Sequence, residues 1–250
     1  MTLQRPVADA LKLDGFTFVQ AAGMKDLLEA TGSLADWTAF AGSWNDLGPD
    51  TYMADGGRYR RRRHAVYAVS PGSIVRQPAQ PHFQSRDYNA LNGGIERWFQ
   101  PITETIGAGA TMTTVLTFCL SLFGSVLPSH AWHAEIHQFR IEARRGEEGR
   151  PTPEGIHRDG VDYVLVLLVN RVNIESGMTT VYNPAGEALG AFTLTQTFDS
   201  ALVDDARVLH GVTPIAPLDI AQPGYRDVLV VTFKNRSASA DNQRVSAYPA

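Results

Sequence analysis

The chain is poor in cysteine and has no marked excess of charge of either sign. Its 250 residues include a single cysteine, Cys119, so no disulfide can form within it. Lysine and arginine number 22 against 26 aspartates and glutamates, and a net charge of -4 gives no general attraction to nucleic acid or an anionic membrane. The first thirty residues also lack the charged segment and apolar run of a secretion signal. We therefore expect a cytoplasmic protein with a small-molecule partner and neither nucleic acid nor membrane contacts.

Charge is absent altogether from residues 105–129, a stretch long enough to cross a membrane if it were uniformly apolar. It is not uniform, because Thr113, Thr117, Ser121 and Ser125 recur every four residues and would form one stripe of a helix. Apolar residues fill the opposite side. The pattern predicts a helix packed on the protein core.

The sequence pattern changes from helical in the first part of the chain to β-rich in the second. Short β-rich runs such as VDYVLVLLVNRV and RDVLVVTFKN are separated by turn sequences, without helices between them. Such strands form antiparallel sandwiches or barrels. We expect one mainly β domain with flanking helices over residues 1–236, with a helical part at about residues 1–50, and a polar tail over residues 237–250.

A candidate metal site lies where the run VDYVLVLLV begins. His157 and Asp159, two positions apart in GIHRDG, point the same way if this part of the chain is extended. His210, in ARVLHGVTPI, is a third candidate on a later strand. Two histidines and one carboxylate on one face of an octahedron suit non-haem Fe(II), which keeps its other positions open. The His-x-Asp pair alone is a weak signal.

Arg226, in GYRDVLVVTF, is the candidate residue for binding a second, anionic ligand. If PLDIAQPG turns the chain back, the strands of His210 and Arg226 pair, with an offset of three or four residues, roughly 10 to 13 Å. A five-carbon dicarboxylate that chelates a metal through its keto end could reach a guanidinium at that offset. Arginine binds such a carboxylate through two parallel hydrogen bonds.

In these settings His157, Asp159, His210 and Arg226 resemble the Fe(II)- and 2-oxoglutarate-dependent dioxygenases. More narrowly, the chain is similar to the bacterial family of the free L-isoleucine hydroxylase and the biofilm-stress-motility type proteins. The similarity extends through YRRRRHAVY, FQSRDYNALNGGIERWF and EIHQFRIEA, and covers most of residues 50 to 236.

The resemblance implies a double-stranded β-helix, that is, a jelly-roll or cupin-like core. It implies that His157, Asp159 and His210 bind iron and that Arg226 binds the distal carboxylate of 2-oxoglutarate. Fe(II), 2-oxoglutarate and O2 would be the cofactor and cosubstrates. The implied reaction is hydroxylation of a small molecule, above all a free L-amino acid, with release of succinate and CO2.

Arg61, Gln138 and Arg140 are the candidates for binding the substrate. Strand alternation puts Gln138 and Arg140 on one face, and Arg61 and Arg63 on one face of the arginine run. A run of arginines is equally consistent with a solvated strand whose side chains form salt bridges.

Two other interpretations compete with the dioxygenase. His130, His133 and His137 would form one stripe of a helix, and with Glu135 they could make the zinc site of a hydrolase. As a strand, the same segment puts His133, Glu135 and His137 on one face. The other interpretation is a jelly-roll module that binds a metal or ligand without turnover, in the sensing of stress.

Overall fold

A computed structural model describes residues 4–129 and 131–236; the predicted polar tail and His130 lie outside the described residues. The helices are α1 (Arg5–Asp14), α2 (Ala21–Thr31), α3 (Trp37–Gly42), α4 (Glu104–Gly107) and α5 (Ala110–Val126), with a short 3-10 helix at Ser43–Asp46. The strands are β1 (Phe16–Val19), β2 (Arg60–Ser70), β3 (Ser73–Arg76), β4 (Trp132–Ala143), β5 (Tyr163–Val172), β6 (Ile174–Ser176), β7 (Met178–Tyr182), β8 (Ala188–Thr193), β9 (Ser200–Asp204), β10 (Leu209–Val212), β11 (Ile215–Pro217) and β12 (Gly224–Asn235).

Seven strands form one antiparallel sheet in the order β1-β9-β5-β12-β4-β2-β3. Successive side chains of a strand point to opposite faces. On β4, Trp132, Ala134 and Ile136 therefore join the main apolar core beneath the helices. The alternate residues Glu135 and His137 line a cavity on the other face. The polar side chains of β4 that line the cavity thus lie on the face of the sheet that the helices do not cover.

Helix α5 covers the opposite face of the sheet, as its polar stripe predicts. Thr113, Ser121 and Ser125 are exposed, whereas Phe118 and Phe123 are fully buried. Burying a side chain of this size stabilises a fold by roughly 1.5–3 kcal/mol. Among the helices of the described ranges, none has the length and apolar character needed to cross a membrane.

The N-terminal part is not entirely helical. After Gly15, whose φ of 78° ends α1, the alternating sequence Phe-Thr-Phe-Val forms β1 and pairs with β9 at the edge of the large sheet. The helices α1 and α2 pack against α5. The first fifty residues therefore contribute one edge strand as well as the predicted helical cover.

A smaller sheet, in the order β10-β7-β8, faces the large one, and β11 pairs with β6 beside it. Val164 and Val203 of the large sheet pack against Val181 of the small one in an apolar cluster between the layers. The predicted antiparallel, mainly β fold with flanking helices is confirmed.

The predicted hairpin between the strands of His210 and Arg226 is wrong. β10 pairs with β7, whereas β12 pairs with β4 along its whole length and with β5 on its other side. The 12 residues of β12 form backbone hydrogen bonds with two neighbouring strands, and these outweigh the pairing that a local turn would allow. The chain after His210 forms β11 instead. His210 and Arg226 therefore stand on different sheets that enclose the same cavity.

Candidate metal centre and its cavity

The structure brings His157, Asp159 and His210 together between the two sheets. His157 and His210 form an antiparallel bridge with both backbone N–O distances at 3.0 Å, and their rings lie 4.5 Å apart between centroids. Residues directly opposite in such a bridge project to the same side. The Nε2 atoms of His157 and His210 lie 3.6 and 3.9 Å from the carboxylate oxygens of Asp159.

A buried carboxylate fixes the loop that carries Asp159. Asp205 accepts hydrogen bonds from the backbone N–H groups of Asp159, Gly160 and Val161, at 2.9, 2.7 and 3.1 Å. Gly155 and Gly160 have φ values of 82° and 80°, a region that favours glycine. The two glycines of GIHRDG thus allow the turns that aim the metal-ligand candidates inward.

The donor atoms of this triad fit Fe(II). The Nδ1–H of His157 donates to the carbonyl of Gly155 at 3.0 Å, so Nε2, which faces Asp159, is the nitrogen that offers its lone pair once the ring is neutral. The ligand-capable atoms of the three residues lie within 4.8 Å of one another. Their separations of 3.6 and 3.9 Å leave room for an ion between them. Two imidazoles and one carboxylate beside an open cavity are the donor set that suits Fe(II) in oxygenases.

The protonation states of the triad are close to those that metal binding requires. Burial acts to raise the pKa of Asp159, but His157 and His210 outweigh it and hold that pKa well below its usual range. Burial lowers the pKa of His210 to about 4. For His157 burial is outweighed by Asp159 and Glu154, which raise its pKa to about 9. Metal binding must therefore release a proton from His157.

Arg226 is a buried cation of the same cavity. Its residue is 3% exposed, and its buried Nε has no hydrogen-bond partner among the described residues. Burial, together with the charge of Arg171, lowers its pKa to about 10, so it is still charged at neutral pH. A buried charge without a partner is costly. An incoming carboxylate would compensate it through charge-assisted hydrogen bonds.

The triad and Arg226 line one cavity of about 370 Å³. Its volume falls within the range of small-molecule sites. Apolar side chains, among them Val164, Val166 and Val230, form part of its wall. The cavity therefore combines a metal-ligand set, a partner for an anion and a partly apolar wall.

The three substrate-binding candidates do not line this cavity, which does not favour their predicted role. Arg61 donates from Nε to Glu142 at 2.7 Å, and Arg140 donates twice to Asp227, at 2.7 and 2.8 Å. Gln138 donates to a serine hydroxyl at 2.8 Å. These contacts hold all three side chains away from the cavity.

The alternation of side chains along the strands explains this placement. On β2 the alternate residues Arg60 and Arg62 line the cavity, and Arg60 donates to Asp50 at 2.7 Å. Alternation predicts which arginines share a face. It does not say which face the helices cover, because that depends on packing across the whole sheet.

The segment HAWHAEIHQF lies in strand β4 from Trp132 onward, so the helical histidine stripe does not form there. His130 lies outside the described residues. The structure instead gathers a second imidazole–carboxylate group from three parts of the chain, with ligand-capable atoms within 4.8 Å of one another. Its members are His64, His82, Glu135 and His137. Strand alternation predicts that Glu135 and His137 share a face, but no local spacing predicts that His64 and His82 join them, because these two come from distant segments.

Comparison with known families gives one match over most of the chain. A family model for 2OG-Fe dioxygenases matches residues 41–232. The 3(1)-hydroxy-L-isoleucine 4-dioxygenase of Pantoea ananatis is 29% identical over 174 residues, which cover 68% of this chain and 70% of that protein. The L-isoleucine-4-hydroxylase of Bacillus thuringiensis is 25% identical over 174 residues, covering 68% and 72%.

Solved structures agree with these matches. A bsmA homologue from Methylobium petroleophilum is 36% identical, with a TM-score of 0.85 and 93% of each chain covered. IDO from Bacillus thuringiensis has a TM-score of 0.75 at 18% identity, covering 94% of this chain and 100% of that one, and so supports the fold alone. The double-stranded β-helix that the sequence resemblance implied is confirmed.

Proposed function

The chain belongs to the 2OG-Fe dioxygenase family, and from that premise we propose that it hydroxylates a free L-amino acid. Enzymes of this family use Fe(II), 2-oxoglutarate and O2. Iron held by the triad would supply the oxidative chemistry, by which O2 and 2-oxoglutarate give succinate and CO2, with one oxygen atom of O2 in the succinate and the other in the hydroxylated substrate. The rest of the work belongs to the protein, which binds, orients and shields the reactants.

The residues of the cavity divide this work. His157, Asp159 and His210 would hold the iron from one side, and Asp205 would keep the loop of Asp159 in place. Arg226 would bind the distal carboxylate of 2-oxoglutarate and so set the direction in which this cosubstrate lies. The valines of the wall would keep bulk water from the reacting groups.

One observation carries the proposal: the triad and Arg226, whose Nε has no hydrogen-bond partner among the described residues, line a single cavity of about 370 Å³. Two similar proteins are named for reactions on L-isoleucine or its hydroxylated form. Their names favour an amino acid as the second occupant of this cavity.

The test is succinate release by the purified protein with Fe(II), ascorbate, O2 and 2-oxoglutarate, with and without a panel of free L-amino acids that begins with L-isoleucine. We expect one amino acid to increase succinate release and to gain the mass of one oxygen atom in equal amount. Asp159→Ala serves as the inactive control. A panel without any stimulation or oxygenated product contradicts the amino acid substrate.

A further inference from the structure

Glu135 is a carboxylate of the cavity that contacts only imidazoles. Its Oε2 lies 3.0 Å from Nε2 of His64 and 2.5 Å from Nδ1 of His82, and its Oε1 lies 3.2 Å from Nε2 of His133. His137 is more distant, with Nε2 at 3.7 Å. Within the described ranges, no lysine or arginine nitrogen forms an ion pair with Glu135 at up to 4.0 Å. Its side chain is 17% exposed.

The contacts leave a negative charge without a cationic partner. Burial acts to raise the pKa of Glu135, but hydrogen bonds from His133, His64 and His82 outweigh it and hold that pKa well below its usual range. Burial lowers the pKa of both His64 and His82, which favours neutral rings. An ionised carboxylate offers about four acceptor positions. The three short imidazole contacts leave about one of them free.

The surroundings disfavour a divalent metal at this group, although its composition resembles a zinc site. Nη2 of Arg62 donates to Nδ1 of His137 at 2.8 Å, so the neutral ring carries its proton on Nε2, the nitrogen nearest Glu135. That nitrogen has no lone pair for an ion. Arg60, Arg62 and Arg97 also line the same cavity, and their positive charges oppose a second cation there.

Arg97 is the opposite charge at this part of the wall. It is 2% exposed, its Nε is buried without a hydrogen-bond partner in the described ranges, and Nη2 donates to Gln84 at 2.8 Å. Burial and then the charge of Arg60 lower its pKa, while the charges of Asp50, Glu154 and, last, Glu135 act in the other direction. Arg97 and His82 form an antiparallel bridge with both N–O distances at 3.0 Å. Because His82 contacts Glu135, this bridge places Arg97 near Glu135, although the two side chains form no ion pair.

Glu135 is far from the place assigned to 2-oxoglutarate, and Gln84 connects Arg97 to the metal loop. Along β4 and β12, Glu135 is opposite Thr232 whereas Arg226 is opposite Ile141. Six residues at ~3.3 Å each separate the two positions by about 20 Å along the sheet. On the other side, Nε2 of Gln84 donates to the carbonyl of Asp159 at 3.1 Å. Glu135 and Arg226 consequently serve different ligands.

We propose that Glu135 and Arg97 bind the zwitterionic head of the substrate. Glu135, with the free Nε2 of His82 beside it, accepts hydrogen bonds from the α-ammonium group, and Arg97 donates to the α-carboxylate. The inference rests on the proposed function and names the residues that would make a free amino acid the substrate. A peptide or an uncharged analogue lacks one or both charges and would leave a buried group without its partner.

The experiment removes one charge from the ligand and one from the protein. The half-saturating concentration for stimulated succinate release is measured with L-isoleucine, with 3-methylpentanoic acid, which lacks the ammonium group, and with L-isoleucinamide, which lacks the carboxylate charge. If another amino acid of the panel stimulates more, it and its two analogues replace these compounds. Binding to the metal-free protein is measured in parallel by calorimetry.

Wild-type protein should prefer the amino acid over each analogue by about 10- to 100-fold, the range that a lost hydrogen bond to a charged group predicts. Glu135→Gln should reduce only the preference over the acid without the ammonium group, and Arg97→Gln only the preference over the amide. Each preference compares two compounds on one protein sample, so a smaller folded fraction cancels. A merely structural role of either residue would leave both preferences unchanged.

Glu142→Gln on the same strand and Arg63→Gln on the neighbouring strand are the matched controls, since neither residue lines the cavity. Both should retain the wild-type preferences. Preferences that persist in Glu135→Gln and Arg97→Gln overturn this inference while leaving amino acid hydroxylation intact. A second metal equivalent that Glu135→Gln loses and Asp159→Ala keeps also overturns it, in favour of a metal site. The absence of stimulation by every amino acid instead contradicts the proposed function.

Discussion

Two groups of imidazoles around a carboxylate line the same cavity, and they differ in the distances within each group. Around Asp159 the N–O separations are 3.6 and 3.9 Å, too long for hydrogen bonds. Around Glu135 three of them are 2.5 to 3.2 Å, and each is a hydrogen bond. In the first group the Nε2 atoms make no hydrogen bond to Asp159 and can bind an ion. In the second group the histidine N–H groups donate to Glu135.

The comparison teaches that composition does not identify a metal site. Metal binding depends on which ring nitrogen of a histidine carries the proton. The hydrogen bond of the other ring nitrogen determines this. The Nδ1–H of His157 donates to a backbone carbonyl, so Nε2 is the nitrogen that loses its proton when a metal binds, whereas Nδ1 of His137 accepts from Arg62 and leaves the proton on Nε2. Similar residues thus favour a metal ion at Asp159 and an organic cation at Glu135.

Iron binding should give the largest difference between the two groups. Asp159→Ala should abolish iron-dependent succinate formation, with a loss of at least about 100-fold, because even a partner outside the ligand set contributes 10- to 100-fold. Glu135→Gln should bind a full equivalent of iron. Metal analysis after equilibration with Fe(II) under argon, together with the succinate assay, measures both. Full activity in Asp159→Ala would show that the triad is assigned wrongly.

Replacing Arg226 by methionine tests whether the cavity has a second, separate anion partner. A hydrogen bond to a charged group contributes roughly 1.5–3 kcal/mol, so the half-saturating concentration of 2-oxoglutarate should rise about 10- to 100-fold. The ligand-free protein should not lose thermal stability, because the change removes a buried charge whose Nε has no hydrogen-bond partner in the part of the chain that the structure describes. Succinate formation against 2-oxoglutarate and thermal unfolding give the two quantities. An unchanged requirement for 2-oxoglutarate would contradict the role of Arg226.

The loop around the triad should be sensitive to Asp205. Asp205→Asn places an amide donor against backbone N–H groups and should cost about 1–3 kcal/mol of unfolding free energy, with iron affinity lower by about 10- to 100-fold. Asp199→Asn is a matched control, since Asp199 also accepts three backbone N–H groups, at 2.8 to 2.9 Å, but none of them belongs to the loop of Asp159. Denaturant unfolding and iron titration compare them. Equal iron affinity in both variants would remove Asp205 from the support of the site.

The smallest effect is expected on the helix-covered face. Arg61 pairs with Glu142 there, and a partly exposed ion pair contributes about 0–1 kcal/mol. Arg61→Gln should change the half-saturating amino acid concentration less than twofold. The same kinetic assay measures it, and a tenfold increase would restore the substrate role predicted from the sequence.

Local patterns predicted what short segments determine. The polar stripe of α5 and the glycines around His157 and Asp159 required only neighbouring residues. Local patterns did not predict the strand partners. β12 pairs with two long strands, β4 and β5, and not with β10 as the predicted hairpin required. The covered face of β2 and the contacts of Glu135 depend on packing between distant segments. A cytoplasmic location and a single domain over residues 1–236 stay predictions.

The chain between β3 and α4, residues 77–103, carries His82, Gln84 and Arg97 on irregular backbone. It touches the strands of the barrel through side chains and isolated bridges rather than through a continuous ladder. Loops of this kind tolerate replacement far better than the strands beneath them. Grafting the equivalent segment from one relative to another is therefore a direct route to enzymes with altered selectivity, because the barrel and its metal ligands need not be rebuilt.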